Sequence, residues 1–218
     1  MLSFHPYFRR EFINFADFNE LLLRSEKNGR NIPFSISAKT TLNIYPASVI
    51  QTKQRYYFIA RSCSSKHLYI LHPKNESPDD SFEYTYIEGI LPEEHYKLAV
   101  CPMNHTNARA LMNLFDFCRP KLLGTANSFG LGDRLGIANP GQLRALAGTG
   151  IRVVLAQQSI RELERTVRKP EDVIDAAVWA VFQEGYREGF GADADHLKTP
   201  DNLDVMARAG FTMFTFDP

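Results

Sequence analysis

The sequence is short of cysteine: 218 residues contain three, Cys63, Cys101 and Cys118. Odd in number, far apart and outside any Cys-x-x-Cys or Cys/His spacing, they argue against a disulfide framework or a structural zinc site and predict reduced thiols in the core. Charge excess is missing too, because Lys plus Arg and Asp plus Glu both total 25. Without a positive field nothing draws a nucleic-acid backbone, so a nucleic-acid partner is not expected. No apolar run approaches the roughly 18 residues that cross a bilayer. Residues Met1 to Arg10 lack the basic start, apolar stretch and cleavage site of a secretory signal, so no membrane partner and a cytoplasmic address are expected. There is also no Gly-x-Gly-x-x-Gly turn after a strand, which counts against a dinucleotide-binding sheet. Oligomeric state cannot be read from any of this.

Hydrophobic residues make up 44% of the chain and aromatics 12%, enough for a buried core. Two stretches have different patterning. Residues 1–119 read as a small α+β region, with strands expected at Thr41 to Ile44, Tyr56 to Arg61 and His67 to Leu71. A loop follows over Pro73 to Asp80, and a helix from Thr106 to Phe117, where Ala108, Leu111, Met112 and Phe115 recur at spacings of three and four.

Residues 120–218 repeat a unit of strand, polar loop, proline-led helix and glycine. Asn139-Pro140, Lys169-Pro170 and Thr199-Pro200 place proline at helix starts, and Gly150, Gly189 and Gly210 close the units. The middle helix has an apolar stripe of Val173, Ile174, Ala177, Val178, Val181 and Phe182. Strands are expected at Leu122 to Ala126, Val153 to Gln157, Phe190 to Asp195 and Phe211 to Phe216. Each is followed by a crossover long enough to keep them parallel. The fold class is α/β: a partial (β/α) barrel of about four βα strands preceded by the small α+β region.

In such a fold chemistry gathers at the carboxyl ends of the strands. After the first strand come Ser128, Asp133 and Arg134, suited to gripping an anionic or polyhydroxylated substrate, with Arg134 able to fork onto a carboxylate. After the second come Gln157 and Gln158, whose amides suit sugar hydroxyls. The third ends in Asp193-Ala194-Asp195-His196, with Lys198 beyond as a partner for an anionic substrate or for Asp195. Alternation puts Asp193 and Asp195 on one face, where two carboxylates cost several kcal/mol unless a cation compensates. An imidazole beside a carboxylate suits a divalent metal, leaving the second acid to act as a base. The plainer alternative is that the acids cap the next helix. His5, His67, His72 and His95 read as ordinary, and the segment containing His105 reads as a helix N-cap.

Four segments resemble the tagaturonate/fructuronate epimerase family, metal-dependent barrel enzymes of hexuronate catabolism. They are Cys101 to Arg109, Ser128 to Gly136, Ala156 to Glu162 and Gly189 to Thr199. The resemblance implies a keto-hexuronate substrate, a divalent cation as cofactor, proton acceptance by Asp195 and metal ligation by His196. It also implies a length about twice that seen here, so this chain is expected to be the N-terminal portion of such an enzyme, with little turnover on its own. The alternatives are a metal-dependent aldolase-type lyase on sugar acids and a non-catalytic sugar-acid-binding protein.

Overall fold

The computed structural model describes residues 31–36, 41–63, 65–86 and 96–216. His5, His95 and Asp217 lie outside the described residues. The first part of the chain builds an antiparallel sheet from β1 (Ile32–Ser35), β2 (Thr41–Ile44), β3 (Ile50–Thr52), β4 (Arg55–Ser62), β5 (Ser65–Pro73), β6 (Thr85–Tyr86) and β7 (Tyr96–Cys101). Its order is β1-β2-β4-β5-β7-β6, with β3 also paired to β4. The expected strands are present, within a sheet larger than their patterning announced.

The strands beyond those expected are β1, β3, β6 and β7, and the central strand β4 is buried on both faces. Tyr57 and Ile59 face one apolar cluster while Tyr56, Phe58 and Ala60 face another. A strand buried on both sides loses the apolar/polar alternation that marks a half-exposed one.

Helix α1 (His105–Leu114) follows β7. The Asn104 side chain caps it by accepting the Asn107 N–H at 3.0 Å, so the N-cap reading of this segment holds. It ends before Phe117, and Asp116–Cys118 forms a separate 3-10 turn.

The second part alternates strands and helices: β8 (Ser128–Gly132), α2 (Asn139–Leu146), β9 (Arg152–Ser159), α3 (Ile160–Thr166), α4 (Pro170–Glu184), β10 (Phe190–Leu197), α5 (Pro200–Ala209) and β11 (Met213–Phe216). Its strands form a separate parallel sheet in the order β11-β10-β9-β8. The four-strand expectation holds, while no closed barrel exists among the described residues.

The expected strand at Leu122 to Ala126 is not formed. Only one isolated bridge, Pro120 with Phe190, precedes it. Gly124 turns the chain at φ +58° and Leu122 is exposed. The glycine-rich segment read as a loop is the strand instead. Five residues with two glycines lack the side chains by which strands are recognised.

One apolar cluster joins both parts. It contains Ile59 and Leu68 of the antiparallel sheet, Leu111 of α1, Val178 and Phe182 of α4, and Val153, Leu155, Phe190 and Ala192 of the parallel sheet. Gly185 closes α4 at φ +61°, and a Cβ there would lie 2.4 Å from the Ala47 carbonyl oxygen. A glycine is therefore required both by the left-handed turn and by the backbone it touches. Cys101 and Cys118 are buried free thiols, and burial raises the pKa of Cys101 to about 12. Cys63 departs from the expectation of three core thiols, because it sits exposed in the turn between β4 and β5.

Candidate active site

Successive side chains of a strand alternate between faces, so Val153, Leu155, Phe190 and Ala192 in the shared core send Val154, Gly191 and Asp193 to the other face of the parallel sheet. At the carboxyl end of that face lies a cavity of about 600 Å³, lined among others by Gly132, Asp133, Arg134, Gln157, Glu162 and Asp195. A larger cavity of about 760 Å³ lies by α1 and α4, around His105, Asp175 and Trp179. Position decides between them, because ligands in parallel α/β sheets meet the carboxyl ends of the strands.

Two bulges aim the side chains. The β9–β10 register slips between Ala192 and Ala194, where Ala156 takes φ +50°; the β10–β11 register slips between Ala194 and Leu197, where His196 takes φ +58°. Left-handed backbone at a residue other than glycine costs roughly 1–2 kcal/mol, and such bulges re-aim side chains beside functional sites. The first brings Gln157 over Gly130, where a Cβ would meet its Oε1 at 2.9 Å. The second brings His196 Nδ1 to 2.8 Å from Asp195 Oδ1.

The paired acids have separate surroundings. Asp193 is buried, accepting from Gln157 Nε2 at 3.2 Å and from Thr215 Oγ1 at 3.1 Å. Burial raises its pKa above 3.8, with Asp195 adding to the shift and the two hydrogen bonds opposing it. Asp195 is only partly buried and lines the cavity.

The remaining predicted residues divide. Arg134 lines the cavity and pairs through Nε with Glu162 Oε1. Asp133 also lines it, but its oxygens accept the backbone N–H groups of Gly136 and Leu135 (Oδ1, 2.9 and 3.3 Å) and of Ala138 and Asn139 (Oδ2, 2.7 and 3.1 Å). Its carboxylate therefore shapes the loop. Ser128 opens β8, at the strand's amino end, because the strand lies later in the chain than expected. Gln158 is fully buried opposite core residue Ala194, away from the cavity, and its amide atoms have no hydrogen-bond partner among the described residues. Lys198 is exposed and does not line the cavity.

Three side chains that matter here were not anticipated: Thr215, Glu162 and Arg168. Arg168 donates to the carbonyl of Arg134 at 3.2 Å and to that of Asp172 at 3.0 Å, tying the loop to the start of α4. Glu162 had a legible signal. Ser159-Ile160-Arg161-Glu162 has the spacing of a capping box, which the structure forms at the start of α3.

The family model described as tagaturonate epimerase, UxaE, matches residues 45–218. The chain belongs to that family. It is 42% identical over 175 residues to the tagaturonate/fructuronate epimerase of Thermotoga maritima, a match covering 80% of this chain and 35% of the relative. A glycerol complex of the fructuronate-tagaturonate epimerase UxaE from Cohnella laeviribosi superimposes with a TM-score of 0.72 at 33% identity, covering 93% of this chain and 37% of that one. The native form of the same enzyme gives 0.70 at 35% identity, with 93% and 36% covered. The chain thus spans about a third of the length of these relatives.

The donor set for the implied metal is partial. A closed site takes three or four ligands, and no group of three His, Cys, Asp or Glu side chains that could hold an ion exists among the described residues. His196 and Asp195 are two such side chains in contact, fewer than a closed site takes. Imidazoles that ligate metals commonly have their other ring nitrogen against a carboxylate, the relation His196 has to Asp195.

Proposed function

We propose that this chain carries the base-bearing part of a metal-dependent isomerase that interconverts D-tagaturonate and D-fructuronate in hexuronate catabolism. One observation carries the reading: in a chain of this family, Asp195 is a partly buried carboxylate at the carboxyl end of a parallel strand, opening into a cavity that Arg134 and Gln157 also line. The bound glycerol of the Cohnella enzyme supports a polyhydroxylated ligand. The four strands in sequential order, with helices packed on one face, are read as the opening part of a (β/α) barrel, and the cytoplasm as its address.

A keto-hexuronate offers a carboxylate, a ketone and several hydroxyls. Arg134 would meet the carboxylate, Gln157 the hydroxyls, and Asp195 would take and return a proton. Two routes invert a hydroxyl-bearing carbon from there. Either Asp195 removes the C–H proton and a second acid, from outside the described residues, delivers one to the opposite face, or Asp195 removes the hydroxyl proton as the adjacent carbon–carbon bond breaks, and returns it once the freed carbonyl has turned its other face and the bond has re-formed. His196 would contribute one imidazole to a divalent cation whose other donors come from outside the described residues. That cation, when bound, would supply polarisation of the substrate oxygens.

The test is Asp195→Asn in the full-length protein. Turnover should fall by about a hundredfold or more while keto-hexuronate binding persists, as for loss of a general base. Turnover within about tenfold of the parent enzyme would remove Asp195 from that role. Accumulation of three-carbon products by the parent enzyme would favour the lyase reading.

A further inference from the structure

The cavity contains an ion pair that the proposed reaction does not itself require. We infer that Glu162 is a positioning residue, holding the guanidinium of Arg134 by its Nε so that the two terminal nitrogens form a fixed fork for the substrate carboxylate. The inference rests on the proposed function, because it names how that site would recognise an acid sugar.

Arg134 is otherwise poorly restrained. Its side chain is 73% exposed, and a guanidinium on several rotatable bonds loses considerable entropy when fixed. Glu162 has the opposite character: its side chain is 16% exposed and fastened at the first turn of α3. Its Oε2 accepts the Ser159 N–H at 3.4 Å, while Ser159 Oγ accepts the Glu162 N–H at 3.3 Å. Oε1 remains for Arg134 Nε. The backbone under Arg134 is held as well, by Asp133 gathering four N–H groups after it and by Arg168 binding its carbonyl.

With Nε engaged, Nη1 and Nη2 have no hydrogen-bond partner among the described residues, and Arg134 lines the cavity that Asp195 also lines. Two parallel N–H donors at fixed spacing match a carboxylate, which adds direction to charge. The ligand class is therefore a carboxylate-bearing sugar. A neutral ketohexose with a hydroxymethyl group in place of the carboxylate would gain nothing from the fork.

Glu162→Gln separates positioning from helix capping. Glutamine is accepted at the third helical position of a capping box, but it has one acceptor oxygen where glutamate has two. With that oxygen serving Ser159, Arg134 faces an amide donor instead of a carboxylate.

In the full-length protein, E162Q should raise KM for the keto-hexuronate about tenfold, with kcat within about twofold and binding of the neutral ketohexose unchanged. Arg134→Ala should abolish the preference for the acid, and adding E162Q to it should cost nothing more. Ser159→Ala, which weakens the cap alone, should lower the thermal midpoint and leave KM unchanged.

Three results would overturn the role of Glu162: an unchanged KM in E162Q, a lowered KM, which would make Glu162 a competitor of the substrate, or a KM raised equally by S159A. A preference for the acid that survives R134A would instead overturn the reading of Arg134. Failure of the parent protein to bind the keto-hexuronate would overturn the proposed function, and this inference with it.

Discussion

Asp193 and Asp195 stand two residues apart on one face of one strand, yet only Asp195 reaches the cavity. Asp193 is shut in by Gln157 and Thr215, and its pKa is raised chiefly by burial. A carboxyl whose folded pKa lies above its unfolded value of 3.8 binds more protons folded than unfolded between the two. Its contribution to stability is therefore complete below 3.8 and lost as pH rises through the folded value. Asp193→Asn should remove that slope. Denaturant unfolding of variant and parent across a pH series should show a difference in favour of the variant that widens from about pH 4 towards neutrality; a constant difference would contradict the assignment. At this scale the sequence was readable in part. Strand alternation gave the face that Asp193 and Asp195 share, and adjacency set His196 beside Asp195. Burial did not show, because Gln158 and Asp133 look as polar and as available in the sequence as Gln157 and Arg134. What separates them is the register opposite Ala194 and the four N–H groups around Asp133.

Among the elements, the prolines placed three helix starts correctly, since proline at the first turn loses no hydrogen bond. α3 went unread although its capping box was spelled out, because seven residues with a single buried leucine present no apolar stripe. β8 was displaced by several residues, its two glycines hiding the strand, and the bulges had no signal at all. Gly185 was also unremarked. At that position both the left-handed turn and the 2.4 Å approach to the Ala47 oxygen penalise a Cβ. Gly185→Ala should cost about 2 kcal/mol or more. The check is a urea unfolding midpoint that falls with an unchanged slope, and no fall would mean that the Pro46–Ser48 turn gives way easily.

For the whole molecule, the division at 119/120 separates two kinds of sheet, yet one apolar cluster runs through both, while a second lies within the antiparallel sheet's part alone. A change of patterning shows where the architecture changes, while shared packing needs contacts that no single segment reveals. The outer strands of the parallel sheet carry exposed apolar side chains, Phe129 on β8 and Met213 and Phe216 on β11. Parallel sheets are usually covered on both faces, and bare edges recruit partners. The 218-residue polypeptide by itself should therefore self-associate or bind a hydrophobic dye in the folded state, and sedimentation as a clean monomer without dye binding would contradict this. The shared core also has a kinetic consequence. Lys66 donates to Gln183 across 117 residues, so the antiparallel sheet has no α4 to pack against until that helix has been synthesised. At about 10 residues per second on the ribosome, Ile59 and Leu68 would await α4 for about ten seconds, an interval in which the first sheet lacks part of its apolar cover.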